Sequence, residues 1–78
     1  MTIKLYVNDE LTATAANVTA PELAEEIGTM CDELNVAALS GPLDVDRVDY
    51  IDADVGYRYS IIRGKNGLFT VLDGEVLK

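Results

Sequence analysis

Residues 18–35 carry the strongest structural signature in this chain and constrain what it can fold into. Thr19 and Glu22 have the spacing of a capping box, and Pro21 falls in the first turn, where its missing N–H costs nothing. Gly28 costs about 1 kcal/mol against Ala in mid-helix, so we expect it to permit close helix–sheet approach. Apolar residues recur on one helical stripe: Leu23, Ile27, Met30, Cys31 and Leu34. The pattern predicts one amphipathic helix, which a sheet must cover.

Strand patterns lie on both sides of this helix. Apolar residues alternate through residues 3–15 around a polar turn, which predicts a β-hairpin. Further strands are predicted at 47–52, 57–63 and 68–72, and Asp73-Gly74 predicts a turn before a short edge strand at 75–77. The length fits one domain, residues 1–78. We predict an α+β fold of order ββαβββ, with one amphipathic helix on an antiparallel, or mixed and β-grasp-like, sheet.

The opening MTIKLYVND and the helix start VTAPELAEEIG resemble the beginning of β-grasp domains, in particular the ubiquitin-like sulfur carriers. The resemblance implies a hairpin followed by a helix that lies across it. Those carriers end in an exposed Gly-Gly whose carboxylate is activated, whereas this sequence ends Glu75-Val76-Leu77-Lys78. Carrier chemistry is therefore not implied, and a β-grasp-like adaptor stays as one alternative function.

The residues that most enzymes use are missing from this sequence. It contains no histidine, which removes the commonest general base, the usual Ser and Cys triads and most zinc sites. Cys31 lies on the apolar stripe, where a thiol usually acts as a small hydrophobic group. The aspartates of residues 44–54 do not match the ligand spacing of an EF-hand loop. We expect no enzymatic activity, no cofactor and no metal site.

No signal-peptide pattern opens the sequence, and no run reaches the roughly 18 apolar residues that predict a membrane span. The single cysteine cannot form an internal disulfide. These features predict a cytoplasmic protein.

Acidity is the unusual property of the composition. Fourteen acidic residues against six basic ones give a net charge of −8, which argues against binding to nucleic acid or anionic membranes. The basic residues are concentrated after residue 57. In the predicted helix every charged residue is acidic. Asp32 and Glu33 fall in its predicted last turn, where a negative charge opposes the helix dipole, so local stability does not explain them. These helix acids are Glu22, Glu25, Glu26, Asp32 and Glu33.

A second acidic segment spans residues 44–54 and includes a tyrosine, a residue type enriched at interfaces. Its residues of interest are Asp44, Asp46, Asp49, Tyr50, Asp52 and Asp54. We predict that this segment and the helix acids bind a basic, nucleic-acid-binding protein, with carboxylates standing where phosphates would lie. The function is then a small inhibitor or regulator. Phage-encoded anti-defence proteins, including anti-CRISPR inhibitors and DNA mimics, share this size and acidity.

Two further explanations compete with this prediction. Solubility, or adaptation to high salt, explains an acidic surface without any partner. A structural or oligomerising domain would instead pair a sheet edge, either residues 3–7 or residues 75–77, with a partner strand or a second copy. A homodimer through a sheet edge belongs to this second explanation.

Overall fold

A computed structural model of the chain describes the backbone of residues 1–76 and the side chains of residues 1–72. One helix packs on a five-stranded sheet, which confirms the predicted α+β class and the order ββαβββ. The elements are β1 (Ile3–Val7), β2 (Glu10–Ala15), α1 (Ala20–Ser40), β3 (Arg47–Asp52), β4 (Tyr57–Arg63) and β5 (Phe69–Val76).

The sheet has the strand order β2-β1-β3-β4-β5, and every neighbouring pair is antiparallel. The antiparallel arrangement is therefore confirmed, and the mixed, β-grasp-like alternative does not occur. Because β1 lies between β2 and β3, the suggestion that residues 3–7 offer a sheet edge is wrong. The edges of the described sheet are β2 and β5.

The start of α1 follows the sequence prediction closely. Thr19 is the N-cap, its hydroxyl accepts from the N–H of Glu22 at 3.3 Å, and the Glu22 carboxylate accepts from the N–H of Thr19 at 3.1 Å. The predicted end near Asn35 is wrong, because the helix continues through the helix-forming Ala-Ala-Leu sequence of residues 37–39. It ends at Ser40, immediately before Gly41.

The first hairpin turns at Asn8 and Asp9, which both have positive φ, as a two-residue hairpin turn requires. The register between β1 and β2 shifts between Leu5 and Tyr6, which leaves one extra residue, Thr12, in β2. Leu11 therefore shares a face with Tyr6. The alternation expected from the sequence therefore holds only from Ala13 to Ala15, on the side of the bulge away from the turn.

The C-terminal strand is longer than predicted. β5 continues through residues 73–74 to Val76, so the turn predicted at Asp73-Gly74 is wrong. In its place the pairing with β4 shifts register between Arg58 and Ser60, and Glu75 pairs with Arg58. Residues 73–74 thus remain within β5, where they form a local irregularity of the strand in place of a turn. Leu77, in the predicted 75–77 strand, lies outside the described residues.

The core lies between one face of the sheet and the apolar stripe of α1. Its buried residues come from the helix and from four strands: Ile3, Leu23, Ile27, Leu34, Val48, Tyr50, Ile61 and Phe69. Among the described strands, β5 is the one that the backbone of α1 approaches most extensively. The helix therefore sits toward the β5 side of the sheet.

Asn35 fastens the helix to the edge of β5. Its side-chain amide donates to the carbonyl of Phe69 at 3.1 Å, and its side-chain oxygen accepts from the N–H of Phe69 at 2.6 Å. The amide thus occupies the place of a neighbouring strand at this residue. It satisfies two main-chain groups that would otherwise be half-buried without partners.

We expect Asn35→Ala to lower the free energy of unfolding by about 1–3 kcal/mol, because both polar groups of Phe69 lose their partner. Urea unfolding measures this change. The control is Thr29→Ala at an exposed position of the same helix, which should change stability by less than about 0.5 kcal/mol. A loss no larger than that of the control would contradict the role given to Asn35.

Gly28 does not mark a close helix–sheet approach, contrary to expectation. The residue is exposed, and an added Cβ would meet no atom within 4 Å. We expect Gly28→Ala to raise the free energy of unfolding by about 0.5–1 kcal/mol, since Ala is the better helix former. Gly67 provides the opposite control because its φ is +85°, where Ala is strained. Thermal unfolding should shift upward for the first variant and downward for the second.

Candidate functional site

The acidic face of α1 is the most strongly charged surface that one element provides. Its five carboxylates are all exposed, as the sequence predicted, and they are Glu22, Glu25, Glu26, Asp32 and Glu33. Within the described part of the chain, no ion pair involves any of them. Glu22 is partly engaged in the cap, and its hydrogen bonds to Thr19 hold the pKa of its carboxyl below the usual value. Among the residues with described side chains, the other four have no ion-pair partner and so form a negative surface.

Glu26 and Tyr50 link this acidic face to the core. Tyr50 is 2% exposed, and its hydroxyl donates to Glu26 at 3.1 Å. Burial first, and then the negative charges of Glu26 and Glu33, raise the pKa of Tyr50 well above its usual value. Glu26 therefore lies on the helix flank that faces β3, and Glu33, about two turns further along, lies on the same flank. Tyr50 is therefore a neutral hydrogen-bond donor inside the fold, and almost none of its surface is accessible to solvent.

Asp49 is the buried centre of a polar cluster on the other face of the sheet. Its side chain accepts two hydrogen bonds from the Arg47 guanidinium at 2.8 Å and one from the Ser60 hydroxyl at 2.5 Å. Burial alone would raise the pKa of Asp49, but these hydrogen bonds and the nearby charges of Arg47 and Arg58 leave it below its usual value. This carboxylate is already neutralised within the fold.

The remaining aspartates of residues 44–54 lie at opposite ends of β3. Asn8 bonds to the backbone of residues 44–47, so Asp44 and Asp46 lie beside the first hairpin turn with exposed side chains. Asp52 is buried and accepts from the N–H of Asp54, whose own carboxylate accepts from the N–H of Thr2. Because β3 advances about 3.3 Å per residue, its two ends are about 17 Å apart.

The predicted surface is therefore only partly contiguous in the structure. The helix acids share one exposed face, and Asp44 and Asp46 form a separate exposed group near Asp9 and Glu10. Asp49, Tyr50 and Asp52 are buried and are used in bonds within the chain. The helix is the part of the prediction that offers several accessible carboxylates together.

A groove that the sequence does not predict runs beside the helix, over β1 and β2. Its volume is about 200 Å³, and its lining includes Leu5, Ala13, Ala15, Leu23, Glu26 and Tyr50. The groove is open because α1 lies toward β5 and does not cover β2, so that every residue of β2 is exposed. Alanines at positions 13 and 15 are a weak sequence signal for such a surface, since small side chains leave space above a strand.

The sequence also does not predict the hydrogen-bonded cluster of Arg47, Asp49 and Ser60. Arg47 and Asp49 are two residues apart on one strand, so their side chains lie on the same face. That spacing was a usable signal. The register that brings Ser60 opposite Asp49 is a tertiary property.

Other chemistry finds little support among the described residues. Burial, together with the charge of Asp32, raises the pKa of the Cys31 thiol, whose sulfur also contacts the Phe69 carbonyl oxygen at 3.5 Å. In the part of the chain with described side chains, no three acidic or thiol groups converge as a metal site would require. Among the described helices, none is both long and apolar enough to cross a membrane.

Comparisons with protein-family models, with curated proteins and with solved structures find no match for this chain.

We expect Asp49→Asn to lower the free energy of unfolding at pH 7 by about 1–3 kcal/mol, because Arg47 loses its anionic partner. The folded-state pKa of Asp49 is depressed, so its stabilisation is present above an unfolded pKa of about 3.9 and is lost as the pH falls through the folded value. The variant should therefore approach the wild type in stability as the pH falls through that lowered folded-state pKa. Urea unfolding at neutral pH and along an acid pH series tests this.

The exposed Asp44→Asn provides a matched control, expected to change stability little at either pH. An equal loss for Asp49→Asn at neutral and acid pH would assign its effect to packing and would contradict the electrostatic account.

Proposed function

We propose that this protein is a small, non-enzymatic inhibitor or regulator that uses the acidic face of α1 to occlude a basic, nucleic-acid-binding surface on a larger protein. The observation that carries the proposal is the exposure of five carboxylates on one helix with no ion pair among the described residues. Anti-defence proteins of the anti-CRISPR and DNA-mimic type are the functional analogy.

The linear charge density of the helix suits such mimicry. Eleven residues separate Glu22 from Glu33, which corresponds to about 16 Å of helix axis at 1.5 Å per residue. Five charges over this length stand about 4.1 Å apart on average along the axis, which is similar to the 3.4 Å per charge of one DNA strand. Lysines and arginines arranged to hold a nucleic-acid strand would therefore meet a similar density of negative charge.

The location of the helix acids favours binding over a purely stabilising role. Asp32 and Glu33 receive no support from an i,i+4 cation, since the helix contains no Lys or Arg. Among the proposed residues, Asp44 and Asp46 are secondary candidates because they form a separate group. Asp49, Tyr50 and Asp52 contribute by holding the fold. The β-grasp-like adaptor is a weaker alternative, since every described strand pair is antiparallel.

The test is the triple variant Glu25→Lys, Asp32→Lys and Glu33→Lys, compared with the wild type in a pull-down from nuclease-treated host lysate at low and high salt. We expect the wild type to retain a basic protein at low salt and to block nucleic-acid binding by that protein in a gel-shift assay. The triple variant should lose both properties, because it places cations against cations. Higher salt should weaken the wild-type complex.

The matched control reverses three exposed acids elsewhere, Glu10, Asp44 and Asp46, and so makes the same change in net charge. Unchanged binding by the helix variant would exclude α1 as the binding face. An equal loss in both variants would indicate a non-specific effect of net charge. If the wild type retains no basic protein, the acidity is better explained by solubility or salt adaptation.

A further inference from the structure

The edge strand β2 has an open outer side. All six of its residues are exposed, and among the described strands it pairs with β1 alone. At the opposite edge, Asn35 occupies both main-chain groups of Phe69. Natural proteins commonly protect edge strands with lysine or proline, but β2 contains neither. Its bulge at Thr12 protects only one end of the strand.

The hydrogen-bond pattern shows which groups of β2 are available. The N–H of Ala53 donates to the carbonyl of Thr2 at 2.9 Å, so the even-numbered residues of β1 direct their main-chain groups toward β3. The odd-numbered residues of β1 bond to β2, where Ala13 and Ala15 are their partners. Thr14 alternates with these alanines, and its N–H and C=O therefore point away from the sheet.

The groove described above lies directly beside this free edge. Ala13 and Ala15 form its outer floor, and their small side chains leave open a path from the edge to Leu5, Leu23 and Tyr50. About 200 Å³ is smaller than the usual 300–1,000 Å³ of a small-molecule site. The groove is suited to one or two apolar side chains that enter from a neighbouring strand.

A carboxylate at the rim of the groove favours a positively charged group on the occupant. Glu26 lines the groove and uses one oxygen, Oε2, to accept from Tyr50. Its other oxygen has no hydrogen-bond partner among the described residues, and the charge of Glu33 acts on the same tyrosine from further along the helix. A lysine or arginine that extends across the groove would meet this negative charge.

From these observations we infer that β2 binds an extended segment of a partner protein as a sixth strand, antiparallel or parallel to β2. The segment pairs with the main-chain groups of Thr14, places an apolar side chain in the groove and directs a basic side chain to Glu26. This is strand addition, in which main-chain bonds supply affinity and alternate side chains supply specificity. This surface shares Glu26 with the acidic face of α1, but its main-chain groups and apolar lining lie on β2 and β1, so the inference does not depend on the function proposed for α1.

A second copy of the chain fits this edge poorly. Pairing of β2 with β2 would place two grooves side by side, both floored by alanine, and neither copy would fill the other. β2 also contains no lysine or arginine to meet Glu26. The partner must bring both a larger apolar side chain and a cation.

The probe is a phage-displayed library of random linear peptides, selected on the immobilised full chain, with enriched peptides synthesised for fluorescence anisotropy. We expect enriched sequences to alternate apolar and polar residues and to contain Lys or Arg. Thr14→Pro removes the outward N–H at an edge position, where proline is tolerated, and should weaken peptide binding about tenfold or more. Thr14→Ala retains the N–H and should bind within about twofold of the wild type.

A second variant makes the test independent of any folding defect in Thr14→Pro. Ala13→Phe fills the groove from an exposed position and should also weaken binding about tenfold. The double variant Glu25→Lys and Asp32→Lys, which alters two acids of α1 that do not line the groove, should leave the peptide affinity unchanged. This outcome separates the inference from the function proposed for α1.

Three results would overturn the inference. The first is selection that enriches no peptide. The second is enriched peptides that bind Thr14→Pro and Ala13→Phe as tightly as the wild type. The third is formation of a β2-mediated dimer, measured by light scattering and abolished by Thr14→Pro, which would make a second copy the occupant.

Discussion

A single helix cannot cover a five-stranded sheet, and most properties of this molecule follow from that mismatch. Five strands at about 4.8 Å spacing are about 19 Å wide between the outermost strands, whereas a helix with its side chains is about 10–12 Å across. The helix α1 lies toward β5, where Asn35 bonds to Phe69 and the apolar stripe covers Ile61 and Phe69. At the opposite side, β2 stays exposed and a groove opens above it. One packing choice thus creates both the core and the open edge.

The same arrangement separates the charges in space. The outer surface of α1 contains only acidic charged groups, whereas Lys4, Arg47 and Arg58 lie on strand positions that alternate with the core residues and so face the other side of the sheet. One acidic residue, Asp49, also lies on this other face, where its bonds to Arg47 neutralise the charge of that guanidinium. The uneven distribution of charge along the chain therefore becomes a molecule with one strongly negative side. Such a side accelerates encounter with a basic partner.

Local signals were sufficient for most of the fold. The capping box at Thr19 and Glu22 and the strand patterns in residues 47–52 and 57–63 each depend on neighbours within a few residues, and the structure confirms these elements. The helix does not end at Asn35, because this residue bonds to Phe69 instead of acting as a C-cap and the helix-forming residues 37–39 continue the helix. The turn signal at residues 73–74 was overridden by pairing with β4. In both cases a tertiary interaction outweighed a weak local preference.

The sequence by itself determined the class of fold, the exposed acidity of the helix and the absence of histidine chemistry, because these depend on residue type and short-range periodicity. Tertiary structure alone decided which aspartates are accessible, since Asp49 and Asp52 differ from Asp44 and Asp46 in their strand partners and neighbouring backbone and not in any local pattern. It also decided that β1 is internal and β2 is an edge. Strand order arises from pairings distant in sequence, and the register of those pairings determines which side chains and main-chain groups stay accessible to a partner.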